Sequence, residues 1–169
     1  MINWMYFPKN KKPDSISEQI VEAFESIATD IDSSTHAKQE SNEVLAKMCF
    51  RLEAIGFMVE KSKKKEDLIN VPVLFGVNGK VEKSFEADAY LESAQYVVEV
   101  EAGRAVVNYQ FLKDFFEACT MNEVDKLCIA VRNVYRGADD FAKVCTFFDS
   151  LYSSGRLGIP LSGVLIVGY

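Results

Sequence analysis

A chain of 169 residues, 49% hydrophobic and 26% charged, has the length of one domain and enough apolar material for a substantial core. Its net charge of -6 argues against indiscriminate coating of nucleic acid, while leaving room for a local basic rim on an acidic molecule. Four widely spaced cysteines among apolar neighbours and a single histidine, His36, argue against a disulfide frame, a Cys/His zinc site and a Ser-His-Asp triad.

No apolar run reaches the roughly 18–20 residues that span a bilayer. Met1 to Lys12 carries aromatics and lysines without the long apolar stretch of a secretory signal. The expectation is a cytoplasmic protein with no membrane association.

In chain order, Pro8 to Pro13 is polar and turn-rich. Ser15 and Glu18 have capping-box spacing, and Ile16, Ile20, Val21, Phe24, Ile27 and Ile31 follow at helical intervals. Asp32 to His36 breaks this helix, so residues 1–38 read as an N-terminal helical extension hinged to a main domain over 39–169. A second helix begins near Ser41, presents Val44, Leu45, Met48, Leu52 and Ile55, and ends at Gly56. Phe57 to Glu60 is a short strand candidate. Lys61 to Lys65 is then either a solvated loop or a phosphate-contacting rim, in which Lys63 and Lys64 are candidates.

Asn78-Gly79 between Val71–Val77 and Val81–Leu91 predicts a tight hairpin with positive backbone angles. Gln95 to Glu101 is a further strand. Residues 107–121 read as a helix with Phe111, Leu112, Phe115, Phe116 and Cys119 inward. Leu127 to Val131 suits a central strand covered on both faces. Asp139 and Asp140 open another helix that Gly155 stops, and Val164 to Val167 form a last buried strand. The expected class is α/β, a mixed sheet flanked by helices.

Alternation supplies the candidate site. Glu99 and Glu101 share one face of their strand, opposite Tyr96, Val98 and Val100. Asp88 lies on the preceding strand, and antiparallel pairing across Glu92-Ser93-Ala94 brings it beside them. Carboxylates gathered in low dielectric need a proton, a cation or a basic side chain. A divalent metal is one reading of such a group, and a solvated edge face is the other.

The element order and these acidic residues resemble the PD-(D/E)xK nuclease superfamily, whose restriction-endonuclease-like core the resemblance extends over roughly Ser41 to Tyr169. It implies a magnesium-dependent endonuclease hydrolysing DNA, with Asp88 as the metal-binding Asp and Glu99-Val100-Glu101 in place of the (D/E)-x-K run. Glu101 stands where most of the family has Lys, as in some restriction enzymes that carry Glu or Gln there. Asp88, Glu99 and the Val100 carbonyl would hold Mg2+ (or Mn2+), Glu101 would act as general base, and Glu43 would hold a second metal or its water. A homodimer is also implied, for which the first amphipathic helix offers a contact. The chain further resembles a bacterial family sharing Glu-Val-Glu-Ala-Gly-Arg-Ala and Gly-Val-Leu-Ile-Val-Gly-Tyr, which implies no activity.

Each role has a plainer counterpart. Glu43 precedes Lys47 by four residues and suits a helix ion pair. Glu101 can pair with Arg104. Gln110 and Lys113, one turn apart on the helix, can each reach a phosphate oxygen over Glu99, and Lys113 equally suits solvent. Arg132 and Arg136 are candidate phosphate contacts, Arg136 beside Gly137 being equally a loop residue, and Tyr109 and Tyr135 either stack on bases or pack. The alternative to a nuclease is an inactive nuclease-fold module that binds nucleic acid or a protein partner.

Overall fold

The computed structural model describes residues 1–169, and a six-stranded mixed sheet organises them. Strand β1 (Asn3–Phe7) precedes helix α1 (Ser15–Glu25) and the single turn α2 (Ala28–Ile31). Helix α3 (Ser41–Ile55) leads to β2 (Met58–Val59), a long hairpin of β3 (Ile69–Phe75) and β4 (Val81–Ala87), then β5 (Ala89–Leu91) and β6 (Tyr96–Val100). Helix α4 (Gln110–Thr120), β7 (Lys126–Val131), a small hairpin of β8 (Val134–Tyr135) and β9 (Ala138–Asp139), helix α5 (Asp140–Ser154) and β10 (Gly163–Gly168) follow. No helix is long and apolar enough to cross a membrane.

The sheet order is β1-β10-β7-β6-β5-β2. Strands β2, β5 and β6 form an antiparallel meander, whereas β6, β7 and β10 run parallel, joined by crossovers through α4 and α5. Alternation on β6 divides the interior in two. Tyr96, Val98 and Val100 face α1 and α3 with Ile20, Phe24, Leu45 and Leu52. Val97 faces the other way, with Phe111 and Phe115 of α4 and Phe148 of α5. The continuous apolar run of β7 is explained by this double covering, for Leu127 to Val131 are all fully buried.

Local signals set the element ends. Asn78 and Gly79 take φ of 59° and 71° in the turn between β3 and β4, as the dipeptide predicts. Gly56, with φ 112°, ends α3. Asp139 caps α5 by accepting from the Ala142 N–H at 2.8 Å. At α1 the capping residue is Asp14 rather than Ser15, accepting from the Ser17 N–H at 2.8 Å.

The segments 1–38 and 39–169 share one core. Ile20, Phe24 and Ile31 are fully buried in the cluster that holds Leu52 and Val98. Residues 3–7, to which no element was assigned from the sequence, form an antiparallel ladder with β10. The supposed hinge is tied down too: Ser33 Oγ donates to the Tyr169 carbonyl at 2.5 Å. The apolar face of α1 is thereby consumed internally and does not supply the expected homodimer contact. Burying Ile20, Phe24 and Ile31 contributes about 1.5–3 kcal/mol each, a large share of the roughly 5–15 kcal/mol stability of a domain. A chain beginning at residue 39 is therefore expected to show no cooperative thermal transition by circular dichroism, and a sharp transition would support the two-part division.

Candidate functional site

The strand expected over 81–91 bends at Asp88, and the bend builds the site. Its first part, β4, pairs only with β3, while its second part, β5, joins the main sheet. Ala87 and Ala89, expected on one face, consequently lie in different cores. The β5–β6 register pairs Ala89 with Val98, so its continuation sets Asp88 opposite Glu99. Asp88 Oδ2 accepts the Val100 N–H at 2.8 Å, and the Asp88 carbonyl accepts the Glu60 N–H at 2.8 Å.

Glu99 and Glu101 project from β6 and its end as expected, toward the side covered by α4. The main chain at Glu101 is held twice, its N–H donating to the Ala130 carbonyl at 2.8 Å and its carbonyl accepting from the Tyr169 hydroxyl at 2.9 Å. Val100 buries its side chain in the α1/α3 core, so only its main chain faces the site.

These residues line a cleft of about 350 Å³. Its wall carries seven carboxylates, Glu60, Glu86, Asp88, Glu99, Glu101, Asp114 and Glu117, against two lysines, Lys63 and Lys113. Both lysines are engaged. Lys63 Nζ lies 2.6 Å from Glu60 Oε1, and Lys113 Nζ lies 3.3 Å from Glu117 Oε1. Asp88, Glu99, Glu101 and Asp114 have no ion-pair partner.

Burial therefore raises the proton affinity of all four. Desolvation pushes Asp88 up to about 6, against the Val100 hydrogen bond and the positive charge of Lys63. Burial drives Glu99 well above the carboxylate range, and the charges of Asp88, Asp114 and Glu101 add to it. Glu101 and Asp114 act on each other, both displaced upward chiefly by burial, Glu101 further by the Asp114 charge.

Asp114 and Glu60 were missed in the sequence. The helix starts at Gln110 rather than near Val107, and its inner face is Phe111, Asp114, Phe115 and Ala118, with Phe116 53% exposed. Spacing of Phe111, Phe115 and Ala118 places Asp114 between them, a signal that the aromatic Phe116 obscures. Glu60 hides behind the lysine run that follows it.

Other candidates lie elsewhere. Glu43 accepts from the Glu40 N–H at 2.8 Å in a capping box, outside the cleft, and Lys47 donates to the Asp30 carbonyl rather than pairing with it. Gln110 does line the cleft, whereas Lys64 is exposed beyond it. Arg132 is buried, donating to the carbonyls of Ala37, at 2.6 Å, and Gln39, so its role is structural. Arg104 and Arg136 line an adjoining groove of about 710 Å³ that meets the cleft at Ser41 and Glu101, and no Glu101–Arg104 ion pair forms. Tyr135 is engaged by both Arg132 and Arg136, 5.3 and 5.2 Å from its ring, whereas Tyr109 is exposed.

An all-oxygen donor set is the kind that a hard divalent cation takes, although Glu101 and Asp114 already share a side-chain hydrogen bond. No three acidic groups converge on one point as a ready-made ligand set. A hard ion that keeps several waters takes as few as one or two protein carboxylates.

Comparison with protein-family models, curated proteins and solved structures gives no match. The cleft is therefore read from its own geometry.

The raised Asp88 carboxyl gives a signed prediction. Its folded pKa exceeds the unfolded one, so its ionisation lowers stability as pH rises from about 4 to about 6. In EDTA, Asp88→Asn is expected to gain about 1–3 kcal/mol over wild type at pH 8 and nearly nothing at pH 4, by urea denaturation. A loss at pH 8 would mean that the Asp88 charge is compensated in the folded protein.

Proposed function

We propose that the cleft is the site of a magnesium-dependent nuclease that hydrolyses phosphodiester bonds of DNA, on a restriction-endonuclease-like core. The observation that carries this reading is the meeting of Asp88, Glu99 and Glu101, from adjoining strands, in a cleft whose two lysines pair with Glu60 and Glu117 instead. The order of α3, β2, β5, β6, α4, β7, α5 and β10, an antiparallel meander followed by two parallel strands, supports that core.

Asp88 and Glu99, with the Val100 carbonyl, would hold Mg2+ or Mn2+. Such an ion supplies Lewis acidity toward a phosphoryl oxygen and makes water more acidic. Asp88 is steadied by the Val100 N–H, which fixes its carboxylate against β6. Glu101, with a proton affinity well above an ordinary carboxylate, takes the proton of the attacking water once its own has left. Lys113, 58% exposed and paired with Glu117, would meet a phosphate oxygen. Arg104 and Arg136 lead the phosphates of a bound strand toward Glu101 along the adjoining groove.

One observation favours a second reading, a nuclease-fold module that binds nucleic acid or a protein partner without turnover: the acidic groups do not form a three-ligand set. Supercoiled, linear and single-stranded DNA incubated with Mg2+ separate the two. The nuclease reading expects EDTA-sensitive cleavage, lost in Asp88→Asn and Glu99→Gln and about 10²–10⁴-fold slower in Glu101→Gln. Retention of DNA with no cleavage of any form would favour the module, and neither cleavage nor retention would overturn the nuclease and leave only a module for a protein partner.

A further inference from the structure

One edge of the six-stranded sheet is open. Strand β1 pairs with β10 alone, and no other strand lies beyond it. Tyr169 turns its N–H and carbonyl toward β7, bonding Val131 and Asn133, so along β10 the alternate residues Val164, Ile166 and Gly168 turn theirs toward β1. Their partners in register are Phe7, Met5 and Asn3. The N–H and carbonyl groups of Trp4 and Tyr6 therefore point outward, and no main-chain group of a turn or loop bonds to them.

Edge strands are commonly blunted by a lysine, a proline, a bulge or shortness. Strand β1 has none of these: Asn3–Phe7 carries no charge and no proline, and its register to β10 runs unbroken over five residues. The opposite edge, β2, is only two residues long. Beside the open edge lies a pocket of about 250 Å³, between Trp4, which is 44% exposed, and one side of α1. Its flank is acidic. Glu18, Glu22 and Glu25 recur there at helical spacing, all exposed. Glu18 pairs with Lys12 at 3.5 Å, whereas Glu22 and Glu25 have no ion-pair partner.

We propose that β1 receives an extended basic segment of a partner protein, which adds a strand through the main chain of Trp4 and Tyr6 and sets lysine or arginine side chains against Glu22 and Glu25. Main-chain pairing supplies the affinity, and the glutamates supply the choice of partner. Charge decides against a second copy as the occupant. Two β1 strands paired antiparallel about a dyad keep α1 on the same face of the joined sheet, so the two glutamate stripes would confront each other on molecules of net charge -6. Two strands separate β1 from β6, so this surface acts independently of the acidic cleft.

Trp4 is the only tryptophan, and its fluorescence reports this edge directly. The probe is a nine-residue peptide alternating lysine and valine, titrated into the full chain at pH 7. A glutamate-valine peptide and two lysine-valine peptides, N-methylated at the lysines or at the valines, are the controls. The lysine-valine peptide is expected to bind saturably and shift the Trp4 emission to the blue, and the glutamate-valine peptide to do neither. At least one methylated peptide should bind at least tenfold more weakly, because alternate residues of an added strand bond to the sheet. Glu22→Lys/Glu25→Lys should also weaken binding at least tenfold with an unchanged melting temperature; if it melts lower, the preference of wild type for lysine over glutamate carries the charge comparison. No saturable change with the lysine-valine peptide would overturn the proposal. Undiminished binding of both methylated peptides would reduce the contact to charge alone and overturn strand addition. Equal binding by the charge-reversed variant would overturn the role of Glu22 and Glu25. A blue shift that grows with protein concentration in the absence of peptide would make a second copy the occupant, and would overturn the proposal as well.

Discussion

Four carboxylates held close together without cations of their own are the constraint on which the rest of this structure turns. Asp88, Glu99, Glu101 and Asp114 would repel one another if all were ionised where water screens them poorly, so burial raises the proton affinity of each, and the backbone beneath them has to be fixed. The backbone here is fixed from both sides. Tyr96, Val98 and Val100 anchor β6 in the α1/α3 core, and Phe111 and Phe115 anchor α4 in the other. Neither core is large, but each grips alternate residues of the same element, so the charged positions cannot rotate away without exposing apolar ones.

The bend at Asp88 has a similar logic. A strand running straight from Val81 to Leu91 would keep Ala87 and Ala89 on one face and leave Asp88 on the other. Because the chain passes from the β3–β4 hairpin into the main sheet at this residue, Ala87 and Ala89 enter different cores, and Asp88 is free to turn its carboxylate onto the Val100 N–H. A hydrogen bond from a main-chain N–H to a carboxylate is charge-assisted, which makes it a suitable pin for a group that burial would otherwise neutralise.

Much of this was legible in the sequence, for identifiable reasons. Period-two alternation placed Glu99 and Glu101 correctly because β6 is regular, and Asn78-Gly79 fixed the hairpin because only positive φ closes so tight a turn. What failed did so where tertiary packing overrode a local pattern. Asp114 was lost because Phe116 looks like a core residue and Asp does not, yet the sheet takes the face of Phe111, Phe115 and Ala118. Strand β1 was lost because Asn3 to Phe7 alternates only weakly and gains its identity from a ladder with β10, more than 150 residues away. Arg132, read as a phosphate contact, is spent on two loop carbonyls, a use that no spacing in the sequence announces.

The juxtaposition of the two depressions has an electrostatic consequence. On the proposed reading, the groove with Arg104 and Arg136 would receive phosphates, while the acidic cleft that shares Ser41 and Glu101 with it would repel them. A phosphate chain lying in the groove therefore meets a barrier at Glu101, whose height falls as cations neutralise the cleft. On the proposed reading, nucleic-acid binding and cation binding are thermodynamically linked, each favouring the other by the same factor. An idle acidic cleft would oppose the groove beside it under all conditions. Compensated carboxylates let the two act as one continuous surface, and this coupling is the physical sense in which an acidic chain can receive an acidic substrate.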